Sequence, residues 1–192
     1  MILILNCGSS KTQYIEDAVD RYVDYLTIPI LDFKETDLDQ KMGVIISGAP
    51  ILVTEQDISA YLKQLQWLKT TTIPVLGICF GHQLLGIIHG SYAVKIREDR
   101  DWQTIAVFED HPLFDRFPEE FEMMEDHCET ISIAPEFKLI GSSDTCVNEV
   151  MVHQTKNLFG VQFHPEVSGN MGTLLFENFY KICLESKQQP DS

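Results

Sequence analysis

A single cysteine between two glycines is the residue in this chain best suited to chemistry. Cys79 follows the apolar run Pro74–Ile78 and precedes a helical pattern, with Gly77 and Gly81 on either side. Gly-x-Cys-x-Gly is the cysteine form of the nucleophile elbow, a sharp strand-to-helix turn that needs small flanking residues. The dipole at the start of a helix favours the thiolate. Cys79 is therefore predicted to be a nucleophile, the alternative being a buried cysteine before an ordinary glycine-rich turn.

A histidine and a glutamate late in the chain supply a candidate base and a group to orient it. Pro165 disfavours helical backbone at the residue before it, so His164 is expected to be extended. Alternate residues of an extended chain face the same side, which places Glu166 beside His164. A carboxylate there fixes the tautomer of the imidazole and stabilises its cation. We therefore predict a catalytic group of nucleophile, base and orienting residue, formed by Cys79, His164 and Glu166.

The apolar pattern predicts the elements that must position these residues. Strands are expected at 2–5, 27–31, 44–47, 73–78, 92–96, 104–108, 121–124, 137–140, 147–152 and 158–163, and helices at 13–25, 58–68, 81–89 and 171–184. Strands separated by helices in the first half indicate a parallel sheet. We predict an α/β fold with a mostly parallel twisted sheet flanked by helices (flavodoxin-like, three-layer) and a small antiparallel addition. Residues 1–184 are predicted to form one domain and residues 185–192 a polar tail.

The turn after the predicted strand at 44–47 is a candidate oxyanion hole. Ligands of such sheets bind beyond the carboxyl ends of the strands, where this turn would meet Cys79. The backbone N–H groups of Gly48 and Ala49, together with that of Phe80, could donate to a reacting carbonyl oxygen. An ordinary turn is the alternative. The turn Gly8–Thr12 is predicted to be a simple connection, since it lacks the glycines of a phosphate-binding loop.

The composition is that of a globular enzyme and argues against several classes of partner. The chain has 192 residues, 44% of them hydrophobic, and 14 basic against 29 acidic residues give a net charge of −15. This charge disfavours nucleic acid, and no segment reaches the roughly 20 apolar residues that span a membrane. The five scattered cysteines indicate a reducing, cytoplasmic environment. The six histidines show no metal-ligand spacing, so neither a metal nor a cofactor is predicted.

The two motifs together resemble those of class I (triad) glutamine amidotransferases. The resemblance rests on residues 77–83, Gly-Ile-Cys-Phe-Gly-His-Gln, and 160–166, Gly-Val-Gln-Phe-His-Pro-Glu, and extends over essentially the whole chain. It implies that L-glutamine is hydrolysed to glutamate and ammonia through a glutamyl thioester on Cys79. It also implies that Gln83 helps to hold the substrate. The turn at 47–50 matches the family's Ser-Gly-Gly-Pro except at Ala49, whose N–H can still donate unless the position needs a positive φ.

Within this family, the nearest resemblance is to the free-standing amidotransferase subunits of GMP synthases. Residues 125–131 resemble a Ser-His-x-Asp-x-Val segment, with Asp126 in place of Ser and Glu129 in place of Asp. This implies that His127 helps to couple the chain to a separate synthetase, the ammonia acceptor; the alternative is an ordinary surface histidine. Two alternatives stay open: a free-standing hydrolase that acts on γ-glutamyl compounds with the same triad, and a binding or regulatory module without turnover.

Overall fold

The computed structural model of the chain describes residues 1–188, which contain eleven strands and four α-helices. The strands are β1 (Ile2–Asn6), β2 (Tyr25–Pro29), β3 (Gly43–Ile46), β4 (Val75–Ile78), β5 (Ala93–Asp99), β6 (Trp102–Val107), β7 (Glu120–Met124), β8 (His127–Ile131), β9 (Phe137–Ser142), β10 (Val150–His153) and β11 (Leu158–Val161). The α-helices are α1 (Thr12–Val19), α2 (Ser59–Gln64), α3 (Phe80–Ile88) and α4 (Gly169–Gln188). Short 3₁₀ helices include Gln66–Lys69 and Pro165–Val167.

Nine of these strands form one sheet in the order β2-β1-β3-β4-β11-β10-β9-β6-β7. The first five are parallel to one another, and the pairings from β11 to β7 are antiparallel. Strands β5 and β8 pair separately as a two-stranded antiparallel sheet. The predicted α/β fold, a parallel sheet with a small antiparallel addition, is confirmed. Strand β8 has no counterpart among the predicted strands.

The helices cover both faces of the large sheet. The inner parallel strands are buried on both sides, which explains their continuous apolar runs. Alternate residues of β1 belong to two apolar clusters. One cluster packs against α1 and α4 and the other against α3, which gives the predicted three layers. Within residues 1–188, none of the helices has the length and apolar character needed to cross a bilayer.

Several elements differ in extent from those predicted. Helix α1 ends at Val19, because the chain must be extended by residue 25 to pair with β1. The helix expected over 58–68 is divided into α2 and the 3₁₀ helix Gln66–Lys69. Helix α4 continues through Gln188, so the first four residues of the predicted tail 185–192 are helical; most of them are good helix formers. Residues 189–192 lie outside the described part of the chain.

Candidate active site

Cys79 occupies a strained turn between β4 and α3. Its φ is 50° and its ψ is −104°, a conformation that residues with a side chain rarely adopt. Its N–H donates to the carbonyl oxygen of Val161 at 2.8 Å, which ties the turn to β11. A Cβ added to Gly77 would lie 2.6 Å from the carbonyl oxygen of Gly81, and one added to Gly81 would overlap the carbonyl oxygen of Ile46. The turn therefore requires glycine at both positions.

His164 and Glu166 meet Cys79 just beyond the end of β11. His164 Nδ1 lies 2.7 Å from Glu166 Oε1, and the N–H of His164 donates to the carbonyl oxygen of Met124 at 2.9 Å. A Cβ added to Gly48 would lie 3.2 Å from His164 Cε1 and 3.6 Å from Cys79 Cβ, so the turn after β3 also reaches this point. Glu166 faces His164 through the 3₁₀ helix Pro165–Val167, and not through the strand alternation that was expected.

The surroundings of His164 favour its charged form. Burial alone would lower the pKa of His164, but neighbouring Cys79 and the Glu166 carboxylate raise it to about 10. The side chains of His164 and Glu166 are 4% and 0% exposed, and Cys79 is 6% exposed. Water therefore screens these charges little. An imidazolium beside the sulfur is the arrangement that a cysteine nucleophile needs.

The backbone N–H groups of Gly48, Ala49 and Phe80, the predicted oxyanion hole, lie next to Cys79. Among the described residues, none of these groups has a hydrogen-bond acceptor. The hydroxyl of Ser47 donates to the carbonyl oxygen of Gly48 at 2.9 Å. The peptide bond between Gly48 and Ala49 is trans, so the N–H of Ala49 points in the opposite direction to the carbonyl oxygen of Gly48. Ala49 is not among the described residues with positive φ, so its position does not need glycine. The N–H of Phe80 is in the first turn of α3, where N–H groups have no intrahelical acceptor.

A cavity of about 530 Å³ opens onto Cys79. Its walls are the segments that carry the triad, the turns after β1 and β3, and residues 126–129. The turn Gly8–Thr12, predicted to be a simple connection, therefore contributes Gly8–Lys11 to the pocket wall, and Lys11 Nζ lies 2.5 Å from Asp126 Oδ2. A larger cleft of about 840 Å³ at residues 106–120 contains none of the predicted site residues.

Comparisons with known proteins assign the family. The family described as glutamine amidotransferase class-I matches residues 3–183. The chain belongs to the class I glutamine amidotransferases. It is therefore a glutamine-hydrolysing enzyme, as the resemblance of its motifs implied.

Three similar proteins illustrate the relationship. The amidotransferase is 34% identical to the A subunit of the glutamine-hydrolysing GMP synthase of Methanococcus maripaludis, over 95% of this chain and 97% of the relative. It is also 34% identical to the protein of the same name from Archaeoglobus fulgidus, over 82% and 81%. A crystal structure of a protein described as a GMP synthase A subunit from Thermoplasma acidophilum superimposes with a TM-score of 0.89 at 26% identity, over 97% and 95%.

Gln83 lines the pocket of the amidotransferase with its amide group anchored. Its Nε2 donates to the backbone oxygen of Glu129 at 3.3 Å and to Gln162 Oε1 at 3.2 Å. The Glu129 carboxylate in turn accepts from the N–H groups of Val53 at 2.7 Å and Thr54 at 3.1 Å. Glu129 thus joins β8 to the loop after β3, a role that was not predicted from the sequence. The sequence signal available for this role was the position of Glu129 within residues 125–131, the segment that resembles a family motif.

His127 lies in a buried group and not on the protein surface. Its Nδ1 is 2.9 Å from the backbone oxygen of Glu129, and its Nε2 is 3.2 Å from Glu125 Oε2. His127, Cys146 and Glu149 each bring one ligand-type atom within 4.8 Å of the others. No spacing in the sequence predicts this group, because its members come from β8 and from the segment before β10.

Proposed function

We propose that this amidotransferase hydrolyses L-glutamine by nucleophilic catalysis at Cys79 and supplies the ammonia to a separate synthetase. The observation that carries the proposal is that Cys79 and His164 line one cavity, with Glu166 in contact with His164 behind it. The 2.7 Å contact between His164 and Glu166 and the raised pKa of His164 suit a base that receives and returns a proton.

In the acylation step, the Cys79 thiolate attacks the side-chain carbonyl carbon of glutamine. The C–S bond forms, and the carbonyl π electrons move to the oxygen. The N–H groups of Gly48, Ala49 and Phe80 stabilise this oxyanion in the proposed mechanism, and one such donor is typically worth ~2.7–4 kcal/mol of barrier. When the C–N bond breaks, His164 gives its proton to the departing nitrogen, so ammonia leaves and a glutamyl thioester remains.

In the deacylation step, water attacks the thioester carbonyl carbon. Neutral His164 takes a proton from the water, the C–S bond breaks, and the sulfur leaves as thiolate. The product is released as the γ-carboxylic acid, which loses its remaining proton to solvent to give glutamate, and the imidazolium–thiolate pair is restored. The Glu166 carboxylate orients the ring and stabilises its positive charge in both steps, while Gln83 contributes to the wall that holds the substrate.

The test of the triad compares two cysteine substitutions in the same pocket. Cys79→Ala removes the nucleophile, and Cys128→Ala removes a partly exposed thiol of the pocket wall. We expect ammonia release from L-glutamine to fall to background in the first variant and to persist in the second. Acid-quenched unsubstituted enzyme should carry a glutamyl adduct, visible by mass spectrometry, that Cys79→Ala lacks. Unchanged ammonia release by Cys79→Ala would refute the assignment.

The synthetase is proposed to be of the GMP synthase type, because the curated relatives compared above are named as parts of GMP synthases. The test is to combine the chain with the synthetase component of a GMP synthase and to measure GMP formation. We expect glutamine to support GMP formation with the unsubstituted chain, and only free ammonium to support it with Cys79→Ala. If only ammonium works with either chain, the acceptor is a different one. Preferential turnover of γ-glutamyl conjugates would instead indicate a free-standing hydrolase.

A further inference from the structure

We propose a Zn²⁺ site beside the glutamine pocket, with His127, Cys146 and Glu149 as its ligands and the buried carboxyl group of Glu125 beside His127. Each of these residues is at most 7% exposed. The three ligands supply one imidazole nitrogen, one sulfur and one carboxylate, donors that Zn²⁺ prefers. The site depends on the fold and the burial of these residues alone, and it holds whether or not Cys79 is the nucleophile.

The hydrogen bond made by His127 decides which of its nitrogens is available. The ring Nδ1–H donates to the backbone oxygen of Glu129 at 2.9 Å, so in the neutral ring the lone pair is on Nε2, which faces Glu125 Oε2. Histidines that bind metals usually donate their second ring N–H to a carbonyl or carboxylate in this way. His127 therefore has the tautomer that a metal ligand requires.

The Nε2 lone pair faces a carboxylate oxygen at close range. Glu125 Oε2 lies 3.2 Å from His127 Nε2, but the two atoms lack hydrogen-bond geometry, and among the described residues neither has a hydrogen-bond partner. Two lone pairs at this distance repel unless a proton or a cation lies between them. A metal ion bound to His127 Nε2 would remove this repulsion.

The carboxyl groups of Glu125 and Glu149 favour a cation in the cluster, because each is negatively charged when ionised. Glu125 is 1% exposed and Glu149 is 0% exposed, so water screens the charge of either carboxylate little. Within residues 1–188, no lysine or arginine forms an ion pair with either carboxylate. A divalent cation would compensate the charges of both.

Neighbouring hydroxyl groups hold the ligand side chains in place. The hydroxyl of Ser143 donates to Glu149 Oε1 at 2.7 Å and accepts from the N–H of Cys146 at 3.0 Å. The hydroxyl of Thr130 lies 3.1 Å from Cys146 Sγ, where it could donate to a thiolate. Such outer contacts commonly orient metal ligands. The Glu149 carboxyl group faces that of Glu125, and among the described residues its Oε2 has no other hydrogen-bond partner.

The spacing of the ligand atoms is close to that of a zinc site. Atoms of His127, Cys146 and Glu149 lie within 4.8 Å of one another. In a tetrahedral Zn²⁺ site, bonds of about 2.0–2.3 Å separate the ligand atoms by about 3.3–3.7 Å. Movements of roughly one ångström would therefore close the site. His127 lines the glutamine pocket, which gives the ion a path of entry.

A second group of similar composition lacks the required tautomer. His89, Glu136 and His153 also lie within 4.8 Å of one another. His153 Nδ1 accepts from the N–H groups of Thr155 and Lys156, so its proton is on Nε2, the atom that faces Glu136. A protonated nitrogen cannot bind a metal. This group therefore serves as a control.

Metal binding at the cluster would stabilise the wall of the glutamine pocket. Bound through Nε2, His127 would hold the backbone oxygen of Glu129, to which the Gln83 amide also donates. In this role His127 is a positioning residue that touches no reacting atom. Loss of the ion should therefore affect glutamine binding more than the chemical step.

The experiment measures metal binding directly in full-length chain treated with a chelator. Cys79→Ala is used as the host so that the proposed catalytic thiol cannot compete for metal. Co²⁺ is added as a spectroscopic substitute for Zn²⁺, and its thiolate charge-transfer and tetrahedral d–d absorption are followed. We expect one Co²⁺ per chain, displaced by Zn²⁺. The charge-transfer band should disappear with Cys146→Ser and persist with Cys183→Ser, which removes a buried thiol of the core.

A second pair of variants keeps the test decisive if Cys146→Ser does not fold. Glu149→Gln preserves the size of the side chain but removes a ligand, and we expect Zn²⁺ affinity to fall by about 100-fold or more. His153→Gln, in the control group, should leave the affinity unchanged. The proposal is overturned if folded host chain gives no cobalt absorption, or if binding survives both Cys146→Ser and Glu149→Gln. A stability measurement gives a further outcome that would overturn the proposal. If the host chain binds no metal and Glu149→Gln makes it more stable, the carboxyl groups of Glu125 and Glu149 share a proton and do not bind a metal ion.

Discussion

The charge state of His164 depends strongly on its neighbours. Burial works against its cation, and Cys79 and Glu166 more than offset that cost, which raises its pKa to about 10. In an unfolded chain, a histidine has a pKa of about 6.5. Since the folded pKa is the higher one, the charged group contributes stability that is complete below about pH 6.5 and is lost as the pH rises through about 10.

Glu166→Gln should therefore change both the titration and the rate. Removal of the anion lowers the pKa of His164, and kcat should fall on the order of 10⁴-fold, the cost of a comparable carboxylate-to-amide change in a serine triad. The NMR titration of the His164 ring proton and steady-state ammonia release measure the two effects. Glu185→Gln, on the exposed side of α4, is the control. An unaltered titration midpoint would contradict the proposed role of Glu166.

Strand β8 explains why part of the site could not be predicted from the sequence. Its buried positions are His127, Glu129 and Ile131, so two of the three residues that face inward are polar, and no apolar alternation marks the strand. These side chains are buried because they bind other parts of the chain, including the loop after β3. Contacts between segments so distant along the chain leave no local pattern.

Glu129→Gln tests whether this connection shapes the pocket. An amide can no longer accept from the N–H groups of both Val53 and Thr54, and an unpaired buried donor costs about 1–3 kcal/mol. We expect the KM for glutamine to rise on the order of tenfold, with a smaller change in kcat. Glu55→Gln, which removes an exposed carboxylate of the same loop, should change neither. A loss confined to kcat would place Glu129 in the chemistry instead.

The tight packing at the turn between β4 and α3 leads to a separate prediction about stability. In Gly81→Ala, the new Cβ would meet the backbone of Ile46, which cannot move aside. In Gly86→Ala, the first atom it would meet is the end of the Ile131 side chain, which can move. We expect Gly81→Ala to lower the free energy of unfolding by ~2–4 kcal/mol, and Gly86→Ala to lower it by less. Urea denaturation measures both, and equal losses would contradict the steric explanation.

The whole molecule was more predictable from the sequence than the pocket walls. Long apolar runs define the inner parallel strands, and the glycines around Cys79 identify the elbow without any tertiary information. The Gly8–Lys11 turn gave no comparable signal. It belongs to the pocket because β1 lies next to β3 in the sheet, and the order of strands in a sheet cannot be predicted from any single segment. The group formed by His127, Cys146 and Glu149 was not predicted either, because its members come from separate segments of the chain.

The packing of α4 on the sheet leads to a prediction about the stability of the whole molecule. Phe179 is completely buried and its ring lies edge-on to that of Phe159, with centroids 6.4 Å apart. Phe159 belongs to β11, the strand that leads to His164. Phe179→Ala should lower the free energy of unfolding by ~3–5 kcal/mol through the cavity it leaves, as measured by urea denaturation. Phe108→Ala removes a ring that is 54% exposed and should have little effect, so similar losses in the two variants would mean that α4 does not anchor this face of the sheet.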